Sequence, residues 1–392
     1  MERRYAQVLR SRMKEGRMFI QVVAGPRQVG KTTIVHQVLD SLDVPHIYAA
    51  ADTQQGNHDW IARQWDRARL LARAGNPVVL AFDELQKIQG WSEVVKKLWD
   101  EDGYQKRDIR VIVSGSSRLL LEKGLSESLQ GRFELMHVPH WSYGEMREVF
   151  GLSLDAFVYF GGYPGSMLLC HDEDRWRRYI VSSIIDASIA SDILGLEEVR
   201  KPALLRQLFL LGAQYSAQKL SYTKMLGQLQ DAGNTTTLAR YMQLLDESCL
   251  LAGLQKYSGS KVRSRVSSPK LQVFDNALFS ALDALTFDEA RTNPEVWGRY
   301  VESAVGCHLL ASSIPGHHEV EYWRDGDNEI DFIFHHNDQA CGIEVKSGSQ
   351  VAGKSMQAFR KAYPDMPVYV VGGIEGIPLE EFLLMDPYQL FR

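Results

Sequence analysis

Residues 25–32, GPRQVGKT, set two glycines around a short loop that closes on Lys-Thr. Gly25 and Gly30 permit a tight backbone path that turns successive N–H groups inward. A helix opening at Lys31 adds the positive end of its dipole, so the stretch has the makings of an anion cradle. Gly25, Pro26, Arg27, Gln28, Val29, Gly30, Lys31, Thr32 and Thr33 are therefore expected to enclose a triphosphate. Lys31 would bridge the β- and γ-phosphates and Thr32 would hold Mg²⁺, which makes ATP and Mg²⁺ the expected cofactors.

A second acidic feature belongs with that loop. In VVLAFDEL, residues 78–85, an apolar run ends in Asp83 and Glu84. The C-terminal edge of a strand is where α/β sheets place ligands. Asp83 would orient the water shell of Mg²⁺, and Glu84 would polarise the attacking water. The next apolar run ends in Ser114-Gly115-Ser116-Ser117. Ser116 reads either as a group that senses the γ-phosphate or as a helix N-cap. Arg132, in LSESLQGRF, either reaches a phosphate of its own or a neighbouring subunit or forms a surface ion pair. Arg118 is a weaker candidate for that role.

Near the far end, EIDFIFHHNDQACGIEVKSG (329–348) reads as a β-hairpin. A turn centred between Asn337 and Asp338 sets Asp331 opposite Glu344. Glu344 and Lys346 then share the face of Asp331, and Ile343 and Val345 point into a core. Opposed carboxylates repel, and a divalent cation between Asp331 and Glu344 would relieve the repulsion. Lys346 would orient a water or stabilise charge on a phosphodiester. The same register also puts Glu329 opposite Lys346, an ordinary cross-strand ion pair, and a one-residue slip would send the acids to the other side. His317-His318 and His335-His336 read as turn and surface residues, because neighbours on a strand point oppositely and no zinc spacing joins them.

These groups need a scaffold. Up to about residue 140, short continuous apolar runs near 19–24, 45–48, 78–82, 111–113 and 134–138 alternate with helical patterns. That order predicts an α/β fold with a parallel sheet covered on both faces. Residues 166–205 are helical. Residues 219–251 read as helix, Gly-Asn turn, helix, with Asn234 to Thr237 as N-cap candidates and Leu238, Tyr241, Met242, Leu245 and Cys249 as the core stripe. The opposite face presents Thr236, Arg240 and Gln243, suited to a DNA groove. The following loop carries Lys256, Lys261, Arg263, Arg265 and Lys270 without an acid, a positive wing for phosphates; the other reading is a solvated loop on a domain packed against the first. From 291 the order is helix, three strands, helix, strand.

Composition narrows the classes. With 392 residues the chain exceeds one core,. Its net charge of −5 excludes a generally basic coat for nucleic acid, so DNA contact must be local,. Cys170, Cys249, Cys307 and Cys341 are scattered, as reduced thiols of a cytoplasmic protein are,. No signal peptide or membrane-spanning run is evident.

GPRQVGKTT, AFDELQKI, VSGSSRLLLEKGLSESLQGR and FVYFGGYPGSML resemble the prokaryotic AAA-superfamily ATPases whose C-terminal region is a domain of unknown function. The likeness continues in order through KLSYTKML, RYMQLLDESCLL, WGRYVESAVGCHLL and YWRDGDNEIDFIF…GIEVKSG. It implies a P-loop AAA-type sheet over 1–165, a helical lid over 166–205, a winged helix over 206–290 and a PD-(D/E)xK nuclease-like α/β domain over 291–392. In that last fold Asp331, Glu344 and Lys346 match the D…ExK signature, and Glu302 is the further acid it often adds. The leading expectation is a Mg-dependent ATPase that moves DNA-handling domains, as a homo-oligomer such as a ring. An ATP-licensed Mg-dependent nuclease and a slow ATP-driven switch with a silent partner-binding domain are the alternatives.

Overall fold

A computed structural model describes residues 2–51, 58–72, 75–116, 128–195, 199–231, 233–258, 267–313, 319–348 and 353–392. The chain divides into two compact units, Met1–Pro139 and His140–Arg392. Residues 140–165, grouped above with the first domain, thus fall in the second unit.

The first unit runs α1 (Arg4–Lys14), β1 (Ile20–Ala24), α2 (Lys31–Ser41), β2 (His46–Ala50), α3 (His58–Leu71), β3 (Val78–Asp83), α4 (Trp91–Tyr104), β4 (Ile109–Gly115) and β5 (Phe133–His137). The five strands form one parallel sheet in the order β2-β3-β4-β1-β5. Alternation along each strand sorts its apolar residues onto two faces. Val22, Ala24, Leu80, Phe82, Val111 and Val113 pack with Trp60, Trp65, Trp91 and Val95 of α3 and α4. Val23, Val79, Ala81 and Ile112 pack with Leu9 and Met13 of α1 and Ile34, Val35 and Val38 of α2. Burial on both faces is why β1 is apolar but for Gln21 and why β3 reads as a continuous apolar run up to Asp83,. Phe82 is fully buried beside Trp60 and Trp65, and truncation to Ala there costs about 3–5 kcal/mol.

The second unit opens with α5 (Tyr143–Phe150) and α6 (Leu154–Phe160), then α7 (Glu173–Tyr179) and two π-helical stretches, Ile180–Asp186 and Ile189–Leu194. After α6 comes the FGGYPG turn, whose glycines are dictated by close approach. Asp275 accepts the Gly162 N–H at 2.8 Å and the Ala277 N–H at 2.9 Å. A Cβ at Gly161 would lie 2.0 Å from Asp275 Oδ1, and one at Gly162 would lie 2.2 Å from the Trp141 carbonyl oxygen. No larger residue fits either position.

Next come α8 (Pro202–Gln214), β6 (Gln218–Lys219), α9 (Tyr222–Gln228), α10 (Thr235–Glu247), β7 (Leu251–Leu254) and β8 (Lys270–Val273), the strands pairing in the order β6-β8-β7. Asn234 caps α10, accepting the Thr237 N–H at 2.8 Å, as expected. Short helices α11 (Ala277–Ser280) and α12 (Phe287–Thr292) lead into α13 (Pro294–Ser312). Then follow β9 (Val320–Asp325), β10 (Asn328–His336), β11 (Gln339–Lys346), α14 (Lys354–Ala362), β12 (Val368–Gly372) and α15 (Leu379–Leu384), with a sheet ordered β12-β11-β10-β9. The helix, three strands, helix, strand order expected from residue 291 is the one observed. Among the described residues no helix is long and apolar enough to cross a membrane.

Candidate functional site

The phosphate loop leaves β1 at its C-terminal end and enters α2. Gly25 is pressed against the neighbouring chain segment: a Cβ there would meet the Val138 carbonyl oxygen at 2.1 Å. Gly30 has φ +90°, the left-handed region that glycine enters without strain,. As N-cap it offers no side chain to the first-turn amides of α2, leaving that end suited to an external anion,. Arg27, Gln28 and Val29 trace the loop between the glycines, with Gln28 at φ +59°. The Val29 carbonyl accepts from buried Arg3 at 2.8 Å, which ties the loop to the start of α1. Lys31 is nearly buried and folds back onto its own loop, donating to the carbonyl oxygens of Gly25 at 2.9 Å and Pro26 at 2.6 Å. Thr32 and Thr33 are exposed at the mouth.

Asp83 ends β3, two strands away from β1 across β4, and the sheet brings it to the same edge. Three hydroxyls converge on its carboxylate. Thr32 donates to Oδ2 at 2.9 Å, Tyr48 of β2 to the same oxygen at 2.7 Å, and Ser114 of β4 to Oδ1 at 2.6 Å. A hydroxyl and a carboxylate held together, beside a loop built for phosphate, are the hard oxygen donors Mg²⁺ prefers. The donor set therefore fits a nucleotide-bound Mg²⁺.

Glu84 follows immediately and has φ +54°. For a residue other than glycine that is a strained conformation, held by its surroundings. Its Oε1 accepts the Ser116 N–H at 3.0 Å. Its Oε2 accepts the Ser116 hydroxyl at 3.2 Å and the Gln86 amide at 2.9 Å. Ser116 thus meets Glu84 directly, with both its backbone and side-chain donors.

Arg132 lies elsewhere. It immediately precedes β5, where Phe133 pairs with Ile20, whereas the phosphate loop leaves β1 next to His137. That separation is about 13 Å of strand, and its guanidinium pairs with Asp100 at 2.8 and 3.0 Å. A role at its own subunit's phosphate is therefore set aside. Arg118 lies outside the described residues.

In the second unit the hairpin register is the expected one. Phe332 pairs with Ile343 and His336 with Gln339, so Asp331 stands across from Glu344, and Asn337 at φ +54° makes the turn. The surroundings of the two acids differ from expectation. Lys270 is not a solvated wing residue: it is buried, with its ammonium among the acids. It sits 2.5 Å from Glu302, 3.7 Å from Asp331 Oδ1 and 3.8 Å from Glu329, and donates to the Asp331 carbonyl oxygen at 3.0 Å. Asp331 Oδ2 accepts the Val345 N–H at 2.8 Å. Lys346 donates to Glu344 Oε1 at 2.6 Å, not to Glu329, which pairs with Lys219 and with Lys270.

Burial draws the Lys270 ammonium towards losing its proton, but Glu302, Asp331 and Glu329 more than offset it and raise its pKa. Burial first, and the charge of Asp331 next, push Glu302 and Glu344 up to about 7. The four carboxyls Glu302, Glu329, Asp331 and Glu344 face three ammonium groups, Lys219, Lys270 and Lys346. Among the described residues no group of three or more His, Cys, Asp or Glu is arranged to hold a metal. Where a cation was expected between Asp331 and Glu344, with Glu302 as a further ligand, the structure places the ammonium groups of Lys270 and Lys346.

Of the residues expected at DNA, Arg240 is exposed on α10 with Thr236 and Gln243. Lys261, Arg263 and Arg265, like His317 and His318, lie outside the described residues. His335 contacts Glu321 at 2.9 Å. Sequence reasoning missed Tyr48, Ser114 and Gln86. Ser114 was within reach, because a polar residue ending an apolar strand beside β3 must face the same edge.

Residues 18–147 match the family described as an AAA domain. Residues 152–289 and 297–386 match two families described as domains of unknown function, DUF8612 and DUF4143. None of the curated proteins matches the chain. Among solved structures, the chain is similar to "The walker-type atpase paby2304 of pyrococcus abyssi" at 14% identity and a TM-score of 0.46, over 71% of this chain and 94% of that one. It is also similar to the "RuvB Holliday junction branch migration motor" of Thermotoga maritima at 15% identity and a TM-score of 0.34, over 64% and 90%. The chain carries an AAA domain over residues 18–147 and, through it, is an ATPase.

Proposed function

We propose that the chain is a Mg-dependent ATP hydrolase whose nucleotide cycle drives DNA binding or remodelling by its second unit. The observation that carries the hydrolytic part is the 2.9 Å contact of Thr32 with Asp83 at the mouth of the glycine loop. On ATP binding, Lys31 exchanges the Gly25 and Pro26 carbonyls for phosphate oxygens, and the loop amides hold the remaining charge. Thr32 and Asp83 would hold Mg²⁺, which would supply positive charge beside the phosphates,. Glu84 turns from Ser116 towards a water and accepts its proton as that water attacks. Ser116, once released, is positioned to meet the γ-phosphate. Arg132, distant from its own loop, serves a neighbour's site, so the active form is a homo-oligomer.

The DNA part is supported by the order helix, strand, helix, helix, strand, strand of α8, β6, α9, α10, β7 and β8, the order a winged helix would need. The capped α10 presents Thr236, Arg240 and Gln243 to solvent, and the basic segment 256–265 lies between β7 and β8,. The test is phosphate release by the full chain with and without single-stranded, duplex and four-way DNA, alongside DNA anisotropy across a salt series. Stimulation by one DNA form, and weaker binding by Arg240→Ala, are expected. Release indifferent to all DNA, with no binding at low salt, would leave an ATP-driven switch that acts on another partner.

A further inference from the structure

The acidic face of β10 and β11 looks, residue by residue, like a place for a divalent cation, yet its central position is taken by a side chain. Lys270 arrives from β8, where it pairs with Lys219 of β6 across the antiparallel register. Paired residues share a sheet face, so two like charges are directed the same way. Such a pair persists only if acids meet it. Here they do: Lys219 engages Glu329, and Lys270 engages Glu302 of α13 and Asp331 of β10. The Lys270 ammonium also lies over the Phe332 ring, 4.7 Å from its centre,. Its side chain is only 1% exposed.

We infer that Lys270 is a built-in cation, and that the cluster of Glu302, Glu329, Asp331 and Glu344 is an ion-paired joint that takes no metal. The joint links the three-stranded sheet to α13 and to the acidic hairpin. A divalent ion would have to share the space with a buried ammonium. It would also have to share the Asp331 carboxylate, whose Oδ1 faces Lys270 at 3.7 Å while Oδ2 accepts the Val345 N–H. The same arrangement denies the hairpin the Lewis acid that phosphodiester cleavage would require. The inference stands apart from the ATPase reading, since it concerns a different unit and a different ion.

The test is Mn²⁺ binding by calorimetry to the full, nucleotide-free chain. Wild type and Asp331→Asn should give superimposable isotherms. Lys270→Met should gain about one Mn²⁺ equivalent, lost again when Asp331→Asn is added. A wild-type Mn²⁺ equivalent that Asp331→Asn abolishes would overturn the inference, as would a folded Lys270→Met chain with no new Mn²⁺ uptake. Should Lys270→Met unfold, Lys270→Met/Glu302→Gln restores the charge balance. That double variant should refold, and its failure to do so would refute the ion-pair assignment.

Discussion

Tyr48→Phe removes one hydroxyl and nothing else. The ring stays packed against His36, tilted by 39° with 4.4 Å between centres, so packing is preserved. What is lost is the 2.7 Å hydrogen bond to Asp83 Oδ2, the oxygen that also receives Thr32. A hydrogen bond to a charged acceptor contributes about 1.5–3 kcal/mol. Tyr48 is half-buried, which favours the lower end, and about 1.4 kcal/mol corresponds to a factor of ten. If Asp83 helps hold Mg²⁺, a carboxylate freed on one side binds it less well before any chemistry occurs. The assay is phosphate release at fixed ATP over a Mg²⁺ series. The half-saturating Mg²⁺ should rise about tenfold, with the rate at saturation within about twofold of wild type. A curve identical to wild type would refute the view that Tyr48 positions Asp83. A fall in the saturated rate alone would place its effect on the chemical step instead.

Three further outcomes are expected. Arg132→Ala should hydrolyse ATP poorly alone but regain turnover when mixed with Lys31→Ala, whose intact Arg132 completes the mutant's site; no recovery on mixing would argue against a role in trans. Gly25→Ala should abolish nucleotide binding, because its Cβ would stand 2.1 Å from the Val138 carbonyl oxygen; unimpaired MgATP binding by calorimetry would contradict the close approach. The acidic joint should respond to pH. Glu302, facing Lys270, Asp331 and Glu329, and Glu344, facing Asp331, Lys346 and Lys270, have folded values of about 7, above the unfolded carboxyl. Their contribution is therefore full below about pH 4.3 and is lost as pH rises through about 7. Protection of 328–346 against hydrogen exchange, taken relative to the intrinsic rate at each pH, should fall over that range, and Glu302→Gln/Glu344→Gln should flatten the dependence.

What could be read in advance follows from how local each signal is. The glycine loop and the Asp83-Glu84 pair lie in runs of eight residues, and the buried strands before them leave little choice of edge. The hairpin register was legible because a two-residue turn at Asn337 and Asp338 fixes every pair by symmetry. Lys270 was not. It is 61 positions from Asp331, and its place depends on β8 lying against β6 and α13, which no local pattern encodes. Read within the basic run 256–270 it looked like one more phosphate contact, although it begins the apolar strand KLQV. Arg132 was ambiguous for a similar reason: its partner Asp100 comes from α4, and only the pairing of β5 with β1 shows which end of the sheet it occupies.

The central claim is that Glu84 acts on water at a triphosphate held by the glycine loop. Glu84→Gln keeps the size of the side chain and one acceptor for the Ser116 N–H while removing the base,. Measured on the same preparation, MgATP binding should match wild type while phosphate release falls at least about a hundredfold. Release at the wild-type rate, with binding intact, would contradict the account.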